Sequence, residues 1–126
     1  MPAITIQVGD EEFPAELQKE KAPETVEEIL NCLPLEGEAN TWGEEIYFPI
    51  PVDRSLENGQ DTVSQGDLGY WPTGNAFCLF YGKTPMSESE DAIKPASPVT
   101  PIGRVENFEQ LKKHSAGEEV QVKLAE

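Results

Sequence analysis

Few residues in this 126-residue chain are of the types that nucleophilic or metal chemistry needs. His114 is the only histidine, Cys32 and Cys78 the only cysteines, and Arg54 and Arg104 the only arginines. Serine–histidine and cysteine–histidine catalysis both require an imidazole beside a nucleophile. His114 follows Lys112 and Lys113 at the polar end of a short helix, where cations complement the dipole, so it reads as a surface residue. Zinc sites built on Cys and His need more ligands than the chain supplies, and no CxxC occurs. The run from Asp53 to Gly59 superficially resembles an EF-hand loop. Asn58 stands where glycine is needed, however, and Ser64 where the bidentate acid belongs. There is no GxGxxG and no phosphate-loop lysine motif. Carboxylate pairs such as Glu27-Glu28 and Glu44-Glu45 arise by chance among 24 acidic residues and read as solvated surface. Either arginine could hold a carboxylate or an oxyanion, although a surface ion pair is the plainer reading in so acidic a chain. No catalytic residue, metal site or cofactor is expected.

A second concentration of chemistry is aromatic. DLGYWPTGNAFCLFYG, residues 67 to 82, gathers Tyr70, Trp71, Phe77, Phe80 and Tyr81 around Pro72-Thr73-Gly74. It is either a hairpin in the core or the wall of a pocket.

Net charge is −15. That field repels nucleic-acid phosphate and anionic membrane surfaces, so neither partner is expected. No apolar run approaches the ~18 residues of a membrane span, and the N-terminus lacks the basic and apolar regions of a signal peptide. The expected location is the cytoplasm. Length implies one domain over residues 1–126 with a single core.

The elements that must position these residues follow from periodicity. Ile4, Ile6 and Val8 alternate as a half-buried strand, and Phe13 to Leu17 returns as its partner. Val26, Ile29, Leu30 and Leu33 make one helical stripe, with Pro23 suited to the first turn and Pro34 ending the helix. Leu35–Trp42 and Glu45–Pro51 read as strands around Gly43, with Pro49 implying an edge or a bulge. Residues 52–67 are a polar loop. Leu68–Trp71 and Asn75–Tyr81 are strands around a turn. Residues 83–100, acidic and then proline-rich, are expected to be a mobile loop. Ile102–Val105 is a strand, and Asn107 is expected to cap a short helix with Phe108 and Leu111 facing inward. Val120, Val122 and Leu124 form the last strand. About eight short strands and two helices without a βαβ rhythm fit a closed antiparallel barrel capped by two helices.

Three blocks carry a family resemblance. LQKEKAPETVEEIL resembles the approach to the first helix of cyclophilins, GNAFCLFYGKTP their GSQFFITTVPTP segment, and PIGRVENFEQLKK their VFGRV segment. EANTWGEEIYFPIPV followed by GDLGYWPTGNAFCLFYGKTP is similar to the small bacterial and archaeal cyclophilin-like proteins, a family of unassigned function. The resemblance implies an eight-stranded cyclophilin-like β-barrel with two helices. It also implies that Phe77 takes the place of a phenylalanine lining a proline pocket. The match departs where it matters for catalysis. Phe48-Pro49-Ile50 stands where cyclophilins carry FHR, so isoleucine replaces the arginine that polarises the prolyl amide. Ala76 replaces the glutamine of GSQFF. The expectation is a non-catalytic barrel binding a small molecule or an extended peptide. Its groove would be lined by Phe48, Tyr70, Trp71, Asn75, Phe77 and Ile102, with Arg54 as polar anchor. Two alternatives stand beside it: an interaction module of a larger enzyme complex with a protein partner, and a prolyl isomerase with a relocated electrophile.

Overall fold

The computed structural model describes residues 2–89 and 91–125. Nine strands form one antiparallel sheet: β1 (Ala3–Val8), β2 (Glu11–Leu17), β3 (Leu35–Glu38), β4 (Asn40–Thr41), β5 (Glu45–Pro49), β6 (Asp67–Trp71), β7 (Ala76–Phe80), β8 (Thr100–Val105) and β9 (Glu119–Leu124). Their order is β3-β9-β1-β2-β8-β6-β7-β5-β4, a nearly closed barrel. Among the described residues there is one α-helix, α1 (Pro23–Cys32). The second expected helix, Phe108–Lys113, is 3-10. Asn107 does not cap it by a side-chain bond. It adopts the left-handed conformation at φ 57° and turns the chain instead.

The strand expected over Leu35–Trp42 is broken at Ala39, because its halves serve opposite ends of the sheet. β3 pairs with β9, and β4 pairs with β5. Ala39 itself bonds to the turn before β9: its N–H donates to the Glu118 carbonyl, and its carbonyl accepts from Gly117. Across the seam, a Cβ on Gly37 would lie 2.9 Å from the Phe48 ring, so this position has no room for a larger side chain.

Alternation within each strand divides the apolar residues between two cores. The barrel interior takes Ile4, Ile6, Ile46, Phe48, Leu68, Tyr70, Phe77, Leu79 and Ile102, together with Val26 and Ile29 from α1. The opposite face of β7 carries a second, outer core of Ala76, Cys78 and Phe80, with Trp71 of β6 packed against it. Residues 60–64 and 92–99 cover it, held by single bridges between Val63 and Ile93 and between Gln60 and Val99. The 83–100 segment is therefore anchored through Ile93 and Val99, both without accessible surface. β7 is buried on both faces and reads as an unbroken apolar run for that reason.

α1 lacks a capping side chain at Ala22. Glu57, 35 residues on, does that work. Its carboxylate accepts from the Thr25 N–H at 2.9 Å, the Thr25 hydroxyl at 2.8 Å and the Glu24 N–H at 3.2 Å. Loop 52–66 is thereby tied to the helix by the groups the helix leaves unpaired.

Candidate functional site

The outward positions of β5 are Glu45 and Tyr47, two residues apart and opposite Ile46 and Phe48. Just before them, Trp42 sits in a tight turn in which its N–H donates to the Glu45 carbonyl at 3.0 Å. Gly43 makes that turn at φ +62°, where a Cβ would meet the Lys83 carbonyl at 2.8 Å. Trp71 ends β6 on the same outer face, and the covering segment brings Pro95 and Ala96 across from the other side. These six residues enclose a cavity of about 210 Å³.

The geometry is that of a corner. The Tyr47 and Trp71 rings meet edge to face, centroids 6.1 Å apart at 75°. The Trp71 indole is pinned by its N–H donating to Ser97 Oγ at 2.6 Å. Glu45 lies at the base and is only 5% exposed. No cation lies within ion-pair distance of it among the described residues. Burial raises its pKa from 4.5 to about 7, while the neighbouring Cys78 thiol, a weak donor, opposes the shift. Cys78 is fully buried beneath, its thiol directed at the Ala76 carbonyl 3.8 Å away. Burial, and then the Glu45 charge, push that thiol well above its ordinary value, so it is not a nucleophile in this state.

Of the seven residues expected from sequence to line a groove, Trp71 alone lines this cavity. Phe48, Tyr70, Phe77 and Ile102 are inside the barrel with essentially no accessible surface. The reason is the two-residue period: Phe48 shares a face with Ile46, and Phe77 with Leu79, and that face is the interior. Phe48 and Phe77 pack together at 5.6 Å between centroids. The structure also gathers Tyr70, Asn75 and the Arg54 backbone. The Tyr70 hydroxyl donates to the Val52 carbonyl at 2.6 Å and accepts from the Arg54 N–H at 3.2 Å and from Asn75 Nδ2 at 3.3 Å. That network fastens the chain leaving β5. The Arg54 guanidinium turns to α1, 2.9 Å from Glu24 and 3.7 Å from Glu28.

A larger, shallower concavity of about 900 Å³ lies against β1, β2 and β8, with Pro14, Arg104 and Phe108 in its lining. Its arginine is already engaged, paired with Asp67 and donating to the Gln65 carbonyl at 2.8 Å. Its other polar lining residues, among them Glu12, Glu106, Asn107 and Glu109, are exposed. The aromatic cavity is therefore the stronger candidate.

The model of the Cyclophilin-like family matches residues 2–123. The chain belongs to the cyclophilin-like family. Among solved structures, this cyclophilin-like chain is similar to the solution structure of a hypothetical protein from Archaeoglobus fulgidus. The two are 45% identical with a TM-score of 0.82, over 98% of this chain and 95% of that one. No curated protein matches it. No helix among the described residues is long and apolar enough to cross a membrane.

Trp42, Glu45 and Tyr47 were not legible as site residues. Glu44-Glu45 looks like any solvated acidic pair. The usable signal was the alternation of Glu45 and Tyr47 against Ile46 and Phe48, which puts both on the outer face. Nothing local shows that residues 95 and 96 arrive to bury them.

Proposed function

We propose that this cyclophilin-like chain is a ligand-binding barrel whose recognition site is the outer-face cavity of Trp42, Glu45, Tyr47, Trp71, Pro95 and Ala96. The observation that carries the reading is the meeting of three aromatic side chains around one carboxylate that has no partner cation. A buried ionisable group usually has a partner, and leaving one without costs stability. Such a cost is commonly retained at functional sites. The volume suits a small molecule or a single side chain of an extended peptide. This reading places the protein in the cytoplasm, where its two free cysteines stay reduced. The isomerase alternative draws no support from the site. Ile50 offers no donor to a prolyl carbonyl, and Phe77 is sealed in the interior.

The chain contains two tryptophans, Trp42 and Trp71, and both line the cavity. Their indole N–H resonances and their fluorescence therefore report on this site alone. A fragment set of neutral, anionic and cationic small molecules should contain members that shift both indole resonances saturably. If none moves either indole at millimolar concentration, the cavity is not a binding site.

A further inference from the structure

We infer that the cavity takes an alkylammonium cation, the aromatic rings receiving its alkyl surface and Glu45 its charge. The inference rests on the binding role proposed above and narrows it to one ligand chemistry.

Three features converge. Tyr47 and Trp71 stand nearly perpendicular, so they offer two walls of a box, and Trp42 adds an aromatic third. Aromatic faces attract cations through the ring quadrupole, most strongly for tryptophan and where water is excluded. Glu45 supplies an anion at the base, in a site with no cation of its own among the described residues. The chain as a whole carries −15, which raises the local concentration of cations and repels anions. A neutral apolar ligand would explain the rings but leave the buried carboxylate without a role. An anionic ligand would meet that carboxylate directly.

The groups around Glu45 leave it as the residue that titrates. From β7, Cys78 lies beneath it with a raised thiol pKa. Tyr81, just past β7, is raised too, first by burial and then by Glu44 and Glu45. Glu44, its chain neighbour, lies 3.8 Å from Lys112. The covering segment contributes Pro95 and Ala96, which do not ionise. A free site near neutral pH is thus partly protonated at Glu45, and an arriving ammonium expels that proton. Affinity should rise with pH up to about 7 and level off above it.

The test uses tetramethylammonium and its uncharged isostere tert-butanol, read by tryptophan fluorescence and indole shifts on the full chain in high salt, which screens non-specific attraction. The expected result is saturable binding of the cation, about tenfold or more tighter than the alcohol. Glu45→Gln should reduce the preference several-fold, and Trp42→Leu, at a partly exposed position, should weaken the cation more than the alcohol. A short peptide bearing trimethyllysine distinguishes the source. Tighter binding than tetramethylammonium assigns a peptide side chain, and equal binding assigns a free small ammonium ion. Equal affinity for cation and alcohol, unchanged in Glu45→Gln, would overturn the inference while leaving a binding cavity. Silence of both indoles towards every probe would overturn both readings.

Discussion

Replacing Glu45 by glutamine should stabilise the protein, and only above the acid range. In the unfolded chain this carboxyl titrates near 4.5, while in the folded chain burial raises it to about 7. Between those values the folded state holds a proton that the unfolded state has released. Stability therefore falls as pH rises from 4.5 to about 7, then becomes flat. At about 1.4 kcal/mol per pH unit, the separation corresponds to about 3 kcal/mol of lost stability at pH 8. Glutamine removes that penalty but buries an amide with imperfect partners, which returns about 1–2 kcal/mol of it. The net expectation is a Glu45→Gln protein more stable than its parent by about 1–2 kcal/mol at pH 8, and equal or less stable at pH 4. Urea unfolding at both pH values measures this. With a slope of about 2 kcal/mol per molar, the midpoint at pH 8 should rise by about 0.5–1 M. The raised His114 is present in both proteins and cancels in the difference. A stability difference of the same sign and size at both pH values would refute the reasoning, because it would place the effect in packing rather than in charge.

Three further outcomes follow from contacts elsewhere in the barrel. Glu57→Ala leaves the buried Thr25 N–H and hydroxyl without their acceptor and should cost about 1–3 kcal/mol in urea unfolding. Glu57→Gln should cost about half that, and parity with the parent for both would discard the remote cap. Burial raises the Glu57 pKa, but the bonds from Thr25 and Glu24 and the Arg54 charge outweigh it and hold it low. Its stabilisation is thus present above about 4.5 and lost as pH falls through the folded value, so Glu57→Gln should blunt acid unfolding. His114 is the reverse case. Burial lowers its pKa, yet bonds of 2.9 Å to both Glu118 and Glu11 raise it overall. Its contribution is complete below about 6.5 and fades as pH rises through the raised value, so the thermal midpoint of His114→Gln should converge on the parent's in mild alkali. A gap that does not close there would remove the imidazolium from the account. Phe77→Ala should cost about 3–5 kcal/mol, because the ring is fully buried against Phe48, and retained stability would contradict its interior placement.

Local periodicity carried much of the architecture. Ile4, Ile6 and Val8 announce β1, Val26 and Ile29 announce the buried stripe of α1, and Val120 and Val122 announce β9. Each pattern is complete within one element, so no distant information is needed. What was hidden depends on partners far along the chain. Leu35–Trp42 gives no local sign that its two halves pair with β9 and β5. Ala22 gives no sign that Glu57 will cap its helix. The family resemblance placed Phe48 and Phe77 in a groove, whereas their alternation with Tyr47 and Cys78 sends them into the barrel. Trp71 was expected in one groove with Tyr70 and Phe77, whereas the end of β6 sets it on the outer face, away from both. Glu45 was not legible, since its burial is made by a segment some 50 residues away.

The corner at Ala39 has a consequence for how this barrel can meet an extended chain. One continuous stretch, Leu35 to Thr41, supplies both ends of the sheet order. The edge that a visiting peptide would extend as an extra strand is thus short at either end, four residues in β3 and two in β4, with Gly37 pressed against Phe48 at the seam. Main-chain ladders, which lend affinity to any sequence, are correspondingly hard to offer. Discrimination then falls to what a side chain or small ligand presents to a cavity, and a guest is selected by its chemistry rather than by its ability to lie straight.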